Sequence, residues 1–276
     1  MKIEMINSLD YLDFPGVRWQ IEQVKSGKSD ELWLATPHED AAALVKNLGL
    51  KPEQVYDMYA RAYVTDADDK NGIWFTDLPV PNEAQLVIND DWTKSMVSNG
   101  HELAKIRWFA NSQRIVQAVA WQDSDGQIDY KDIYQRDGRL FAKQYFSEGE
   151  LLESDFYIGQ RQAQTRDFYF EGQRNFVEAE GKKFPSAEAY LANLGDSFHA
   201  NQYRITQVGR EIDFAPLNSV LTFPEGVQDA QGNIYANLAG ILQEAKHKIQ
   251  HVEVRQADYD LIKAAGLPTD KLSILK

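Results

Sequence analysis

The chain predicts an α/β fold with an inserted antiparallel β-meander, and three observations carry that prediction. Apolar spacing alternates between helix-like and strand-like segments up to about residue 110, changes to a period of two between about 115 and 181, and reverts to alternating strand and helix after 186. Glycines preceded by Asp or Glu recur through the middle region at close to one strand plus one tight turn. The 276 residues, 43% of them hydrophobic and 12% aromatic, hold enough apolar area to offset the backbone entropy of folding and exceed what one small domain needs. The expected organisation is a discontinuous α/β domain from residues 1–110 and 186–276, with a meander domain over 111–185.

Taken in order, Val17, Ile21 and Val24 fall at helical spacing after Pro15-Gly16, and Glu31–Ala35 is a short apolar strand. Glu39–Leu48 forms the next helix, with Gly49 as its cap. Pro52-Glu53 opens a second short helix through Met58. Asp66–Gly72 is a hydrated turn. Its Asp68-Asp69 pair lacks the bidentate Glu that a calcium loop requires. Ile73–Phe75 and Leu86–Ile88 are strand candidates.

The meander is expected to have about six strands, Ile115–Gln122, Gln127–Gln135, Arg139–Ser147, Leu151–Ile158, Thr165–Phe170 and Arg174–Ala179. Its turns end in glycine, all but that at Gly159 as Asp-Gly or Glu-Gly, and glycine supplies the positive φ that primed hairpin turns demand. Aromatic residues fall on both alternation phases. A sheet packed on one face only is polar on the other, so this meander either lies between two layers or offers a face to a partner. The candidate partner-binding residues are Tyr134, Phe141, Tyr145, Phe156, Tyr157, Phe168 and Phe170, weighed against the commoner role of strand aromatics as core.

Beyond the meander, Ser186 caps a helix that runs to Leu194 and stops at Gly195. Ile212–Pro216 is a strand, Asn233–Ile249 a helix, His251–Arg255 a strand, Ala257–Ala265 a helix ended by Gly266, and Lys271–Leu275 a last strand. Repeated strand-then-helix units imply a parallel sheet with helices on its faces.

Charge and motifs exclude more than they assign. With 29 basic and 42 acidic residues the net charge is −13, which repels phosphate backbones and anionic headgroups and disfavours nucleic acid as a partner. There is no cysteine, hence no disulfide or thiolate zinc site, which fits a reducing compartment. The acidic amino terminus lacks the apolar core of an export signal, and no apolar run approaches the ~18 residues of a membrane span. A cytoplasmic protein is expected. Phosphate-loop, dinucleotide and nucleophile-elbow signatures are missing. His247 and His251 are spaced to share a helix face, but without the metalloprotease order. Glu148, Glu150 and Glu153 lie on or beside a hairpin turn, where carboxyls are normally solvated. No catalytic residue, metal or cofactor is expected. Lys182-Lys183, or Arg204 with Arg210, stay open as a local anion site.

Trp74–Pro81, Ala104–Trp108, Arg114–Gly126 and Ile133–Ala142 follow one another in an order that resembles a bacterial family. This is the stabilising, chaperone-like subunit of the accessory-Sec O-glycosyltransferase pair, which helps a catalytic partner add N-acetylglucosamine to serine-rich repeat adhesins. The resemblance is clearest over about 73–182. It implies the N-terminal Rossmann-like domain of a GT-B type fold interrupted by an extended β-sheet. The implied partners are a catalytic glycosyltransferase subunit and a Ser/Thr-rich adhesin polypeptide, and peripheral association with the inner face of the cell membrane through the complex stays open. Family members continue into a second Rossmann-like domain that this sequence does not include, so no sugar transfer by this chain alone is expected. The alternatives are part of a catalytic retaining GT-B glycosyltransferase, or a free-standing β-meander repeat protein.

Overall fold

A computed structural model describes residues 1–66, 69–112, 114–198 and 201–275; Asp68 of the acidic turn and His199 fall outside them. Two sheets organise the chain. The first carries β1 (Lys2–Ile6), β2 (Glu31–Leu34), β3 (Val55–Asp57) and β4 (Ala62–Tyr63). The second carries β5 (Gln85–Ile88), β6 (Lys94–Ser98), β7 (His101–Trp108), β8 (Val116–Gln122), β9 (Ile128–Tyr134), β10 (Leu140–Ser147), β11 (Glu150–Phe156), β12 (Thr165–Phe170), β13 (Gln173–Ala179) and β14 (Lys182–Phe184). The chain then returns to the first sheet with β15 (Gln202–Ile205), β16 (Val220–Phe223), β17 (His251–Val254) and β18 (Leu272–Ile274).

The first sheet has the order β18-β17-β16-β15-β1-β2-β3-β4, with every pair parallel except β3–β4. Strand order runs outward from β1 in one direction before the insertion and in the other after it. Right-handed crossovers therefore place the early helices on one face and the late ones on the opposite face. Residues of α1 (Pro15–Lys25) and α2 (Ala41–Asn47) pack Val17, Ile21, Val24 and Val45 on Ile6, Leu32, Leu34 and Val55. On the other face lie α3 (Ala187–Asp196), α4 (Arg210–Phe214), α5 (Ala236–Gln243) and α6 (Gln256–Ala264). Their Leu191, Phe214, Leu238, Ile241 and Ile262 share a core with Ile205, Leu221, Phe223, Val252 and Val254. Ser186 caps α3 as expected, its hydroxyl accepting from the Ala189 N–H at 3.1 Å.

The second sheet is a ten-stranded antiparallel meander, each strand paired with its sequence neighbour. In the turns Asn99-Gly100, Glu148-Gly149, Glu171-Gly172 and Glu180-Gly181 both residues have positive φ, the signature of two-residue primed turns matching the strand twist. The sheet is longer than six strands and begins at Gln85 rather than near residue 111, so β5–β7 pair into it.

Several local expectations change. Pro52–Gln54 is a single 3-10 turn leading into β3, not a helix through Met58, and Ile73–Phe75 forms no strand, Phe75 instead opening the 3-10 turn Phe75–Asp77. Ile212–Phe214 belongs to the helix α4, because Arg210–Phe214 turns Phe214 inward while Pro216 prevents continuation. The helix over Asn233–Ile249 is confined to Ala236–Gln243. His247 consequently lies in a turn and His251 on a strand, so they share no helix face.

The two sheets are clamped together. Val177 and Ala179 of the meander join the core around Tyr59, Tyr190 and Leu191. Tyr190 Oη donates to the Met58 carbonyl at 2.9 Å. Asp40, at the start of α2, makes no capping bond, because its carboxylate takes Arg136 in a bidentate pair at 2.5 and 2.9 Å.

Candidate functional site

Strand register on the antiparallel sheet draws two parallel rows across one face. In the first, Trp121, Tyr130, Tyr145, Glu153, Phe168 and Phe176 stand opposite one another from β8 to β13. Trp121 stacks on Tyr130 with centroids 5.9 Å apart, and Phe168 on Phe176 at 4.4 Å. Two residues along each strand, hence on the same face, runs the second row, Asp132, Lys143, Asp155, Arg166, Glu178 and Lys183. Its charges alternate in sign, with ion pairs Lys143–Asp132 at 3.5 Å and Arg166–Asp155 at 3.4 Å. Lys143 Nζ lies 4.2 Å from the Tyr130 ring centroid and Lys183 Nζ 5.3 Å from that of Phe176, tying the rows together.

The two halves of this face differ. Over β5–β8 it is covered by the segment leading into the sheet, whose Ile73, Phe75, Leu78, Val80 and Ala84 pack on Met96, Ala104, Ile106 and Val119. Over β10–β13 aromatic surface remains accessible. Tyr145 is 37% exposed, and Phe170, beside the β12–β13 turn, is 67% exposed. Phe168 and Tyr157 are half-buried. Burial, followed by the neighbouring charge of Asp155, raises the hydroxyl pKa of both Tyr145 and Tyr157. Burial and then Asp155 also raise the Glu153 carboxyl.

The remaining candidates pack on interior clusters. Phe141 is buried and meets Phe156 edge-on at 6.1 Å, in a cluster with Ala118, Ile133 and Ala142. Phe156 in turn lies edge-on to Tyr59 at 5.2 Å. Tyr134 packs on the covered half of the face, where burial raises its hydroxyl pKa. The structure therefore exposes Tyr145 and Phe170, buries Phe141 and leaves Tyr134, Phe156, Tyr157 and Phe168 half-buried, of which Tyr134 and Phe156 pack on interior clusters. Trp121, Tyr130, Phe176 and the charged row were missed from sequence.

A second feature lies where the meander overhangs the carboxyl ends of β1 and β2. A 260 Å³ cavity is lined by Tyr169 and Arg174 of the β12–β13 hairpin, Ser186, Ala187 and Glu188 at the start of α3, and Arg210. Arg210 donates to Glu188 at 2.5 Å and to Asn7 and Thr36 at 2.8 Å each. Arg174 pairs with Asp167 at 3.0 Å and donates to Tyr59 Oη at 3.2 Å. Burial pushes Asp167 up to about 6 despite that pair. The cavity is polar, with both guanidiniums already paired. Arg204 pairs instead with Glu4 and lies against Trp19, so it forms no joint anion site with Arg210. Among the described residues no group of three or more His, Cys, Asp or Glu is placed to hold a metal ion, and no helix is long and apolar enough to cross a membrane.

Residues 84–177 match the family model described as the GtfB middle domain. Over 126 residues the chain is 25% identical to the UDP-N-acetylglucosamine--peptide N-acetylglucosaminyltransferase stabilizing protein GtfB of Streptococcus gordonii, a match covering 45% of this chain and 28% of that protein. Its fold is similar to a GtfA/B complex bound to UDP and GlcNAc (TM-score 0.63, 16% identity) and to the Glycosylation Associate Protein (Gap123) complex of Streptococcus agalactiae (TM-score 0.72, 11% identity). Each likeness covers 100% of this chain, and 61% and 60% respectively of the matched chain, so the chain spans about six-tenths of those structures. The part of the chain that matches the GtfB middle domain, residues 84–177, is the antiparallel sheet.

Proposed function

We propose that this chain is a non-catalytic stabilising subunit that docks a catalytic O-GlcNAc transferase of the GtfA kind through the open half of its antiparallel sheet. The α/β unit is read as the N-terminal Rossmann-like domain of a GT-B type fold. Its parts are the segments before about residue 84 and after about 184, flanking the sheet. The partner would glycosylate a Ser/Thr-rich adhesin polypeptide, held in place by this subunit without chemistry of its own.

One observation carries the reading: the aromatic row is accessible over β10–β13 while the same face is covered over β5–β8. Solvated aromatic surface beside a row of charges has the composition of an interface core with a polar rim. The likeness to GtfB over the meander supports the choice of partner.

The test is affinity for a catalytic GtfA-type subunit, measured on Tyr145→Asp and Phe168→Asp. Each true hot spot should weaken the complex by about 2 kcal/mol, roughly thirtyfold. Unchanged affinity in both variants would remove this face from the interface. Calorimetric titration of the chain alone with UDP-N-acetylglucosamine should show no saturable heat, and turnover by the chain alone would overturn the non-catalytic assignment.

A further inference from the structure

The two edges of the ten-stranded sheet are not alike. At one end β14 is three residues long and carries Lys182 and Lys183, a short charged edge of the kind that blocks further pairing. At the other end β5 runs Gln85-Leu86-Val87-Ile88, with no charge, no proline and no bulge against β6. Val87 is 38% exposed, Ile88 52%, and Trp92, in the turn that follows, 79%.

The hydrogen-bond phase of β5 leaves this edge unfilled. Asn89 N–H donates to the Thr93 carbonyl at 2.9 Å, so 89 and 93 form a hydrogen-bonded pair. By alternation the Val87–Ser95 and Gln85–Val97 pairs are hydrogen-bonded as well, and the backbone groups of Leu86 and Ile88 point away from β6. Among the described residues no hydrogen bond reaches those groups.

Charge selects the occupant. The apolar stretch is bracketed by Glu83 before it and Asp90-Asp91 after it, all exposed. Antiparallel pairing of β5 with itself in a second copy would set Glu83 of one chain against Asp90 or Asp91 of the other, and like charges directly opposite destabilise a strand pair. An extended segment with alternating apolar residues and basic flanks meets neither objection. We propose that the β5 edge is a strand-addition site for another protein, taking an extended segment flanked by Lys or Arg. Two N–H and two C=O groups supply the main-chain bonds, Ile88 and Trp92 the apolar contact, and the bracketing acids the selectivity. This surface is distinct from the open face over β10–β13.

The probe is a fluorescein-labelled nonapeptide with a Thr-Val-Thr-Val-Thr centre and two lysines at each end, followed by fluorescence anisotropy on the full chain at low salt. Saturable binding is expected, and about tenfold weaker binding of the same peptide with glutamate ends. Ile88→Pro removes one outward N–H without touching the bonds to β6, and should weaken the lysine peptide about tenfold with the melting temperature little changed. Should Ile88→Pro unfold, the double variant Glu83→Lys with Asp90→Lys serves, since it should reverse the preference between the two peptides. Tyr145→Asp is expected to bind as the wild type does, and loss of binding there would move the site to the open face. Absence of saturable binding, or equal binding of both peptides by wild type and both edge variants, overturns the proposal. So does a wild-type dimer in sedimentation that Ile88→Pro dissolves, which would make a second copy the occupant.

Discussion

The parallel and antiparallel sheets reach order by different means. Strands of the parallel sheet are mostly three to five residues long, and β2, β3 and β16 are buried at every position. Helices cover them from both sides. Strands β7–β13 are six to eight residues long and alternate, and their fully buried clusters are small. One sheet is held by its core, the other more by turns, register and cross-strand pairs. A sheet of the second kind can leave part of a face accessible and remain ordered.

Paired truncations in the two sheets test this contrast. Leu191 on α3 is fully buried among Tyr190, Leu194 and Phe214. Leu191→Ala should cost about 3 kcal/mol, through lost burial plus the cavity left behind. Phe168→Ala removes a half-buried ring whose chief specific contact is its stack on Phe176, and should cost about 1 kcal/mol. Urea denaturation of both variants measures the gap. Equal losses would mean that the meander carries a core as consequential as that of the α/β unit.

The same contrast explains what the sequence made legible. Asp-Gly and Glu-Gly turns announce hairpins, so the strands from β8 to β13 were visible in the residues. Strands β1, β15 and β16 were not: Gln202–Ile205 and Val220–Phe223 are four-residue runs buried in a parallel sheet, too short to show a period. The five-residue helix α4 was mistaken for a strand for the same reason. At the candidate site, alternation alone does not separate surface from core aromatics: β10 carries an extra residue between Leu140 and Ala142, and Tyr134 shares a face with Tyr130 but packs where the segment leading into the sheet covers it. Phe141 is that extra residue and turns into the core with Ala118 and Ile133, where Phe156 meets it edge-on. Trp121, Tyr130 and Phe176 enter the row only once pairing across the turns is known.

A buried carboxyl gives the α/β unit a pH dependence of its own. Asp57 closes β3, and its Oδ1 accepts from the N–H groups of Tyr59 and Ala60 at 2.8 and 2.9 Å. Burial outweighs those bonds and pushes it up to about 6, from an ordinary 3.8. Because the folded value is the higher one, the native state holds the proton more tightly than the unfolded chain between about pH 4 and 6. This contribution is therefore greatest at low pH, is lost as pH rises through 6, and is flat above it. Raising the pH from 5 to 7 should cost roughly 1 kcal/mol through this group. Asp57→Asn keeps an acceptor oxygen for both N–H groups and removes the charge, so the difference between variant and wild type should grow across that interval. Parallel stability curves for the two proteins would show that Asp57 does not titrate there.

The smallest effect lies in the turns on which the meander depends. Glu148 and Gly149 join β10 to β11 with φ of 51° and 80°, and Asn99 and Gly100 join β6 to β7 with φ of 50° and 79°. The two turns share a backbone shape but differ in their first residue. Glutamate in the left-handed region brings Cβ against the carbonyl oxygen, at a cost of order 1 kcal/mol, whereas asparagine adopts that region far more readily. Glu148→Asn should therefore stabilise the protein by about 0.5 kcal/mol and raise Tm by about 1–2 °C. Asn99→Glu should lower stability by a similar amount. Calorimetry on both variants reads the two signs, and hydrogen exchange at Phe146 and Leu151 localises the gain to the β10–β11 hairpin. If both substitutions prove neutral, turn conformation contributes little, and the stability of the antiparallel sheet must come from its cross-strand pairs.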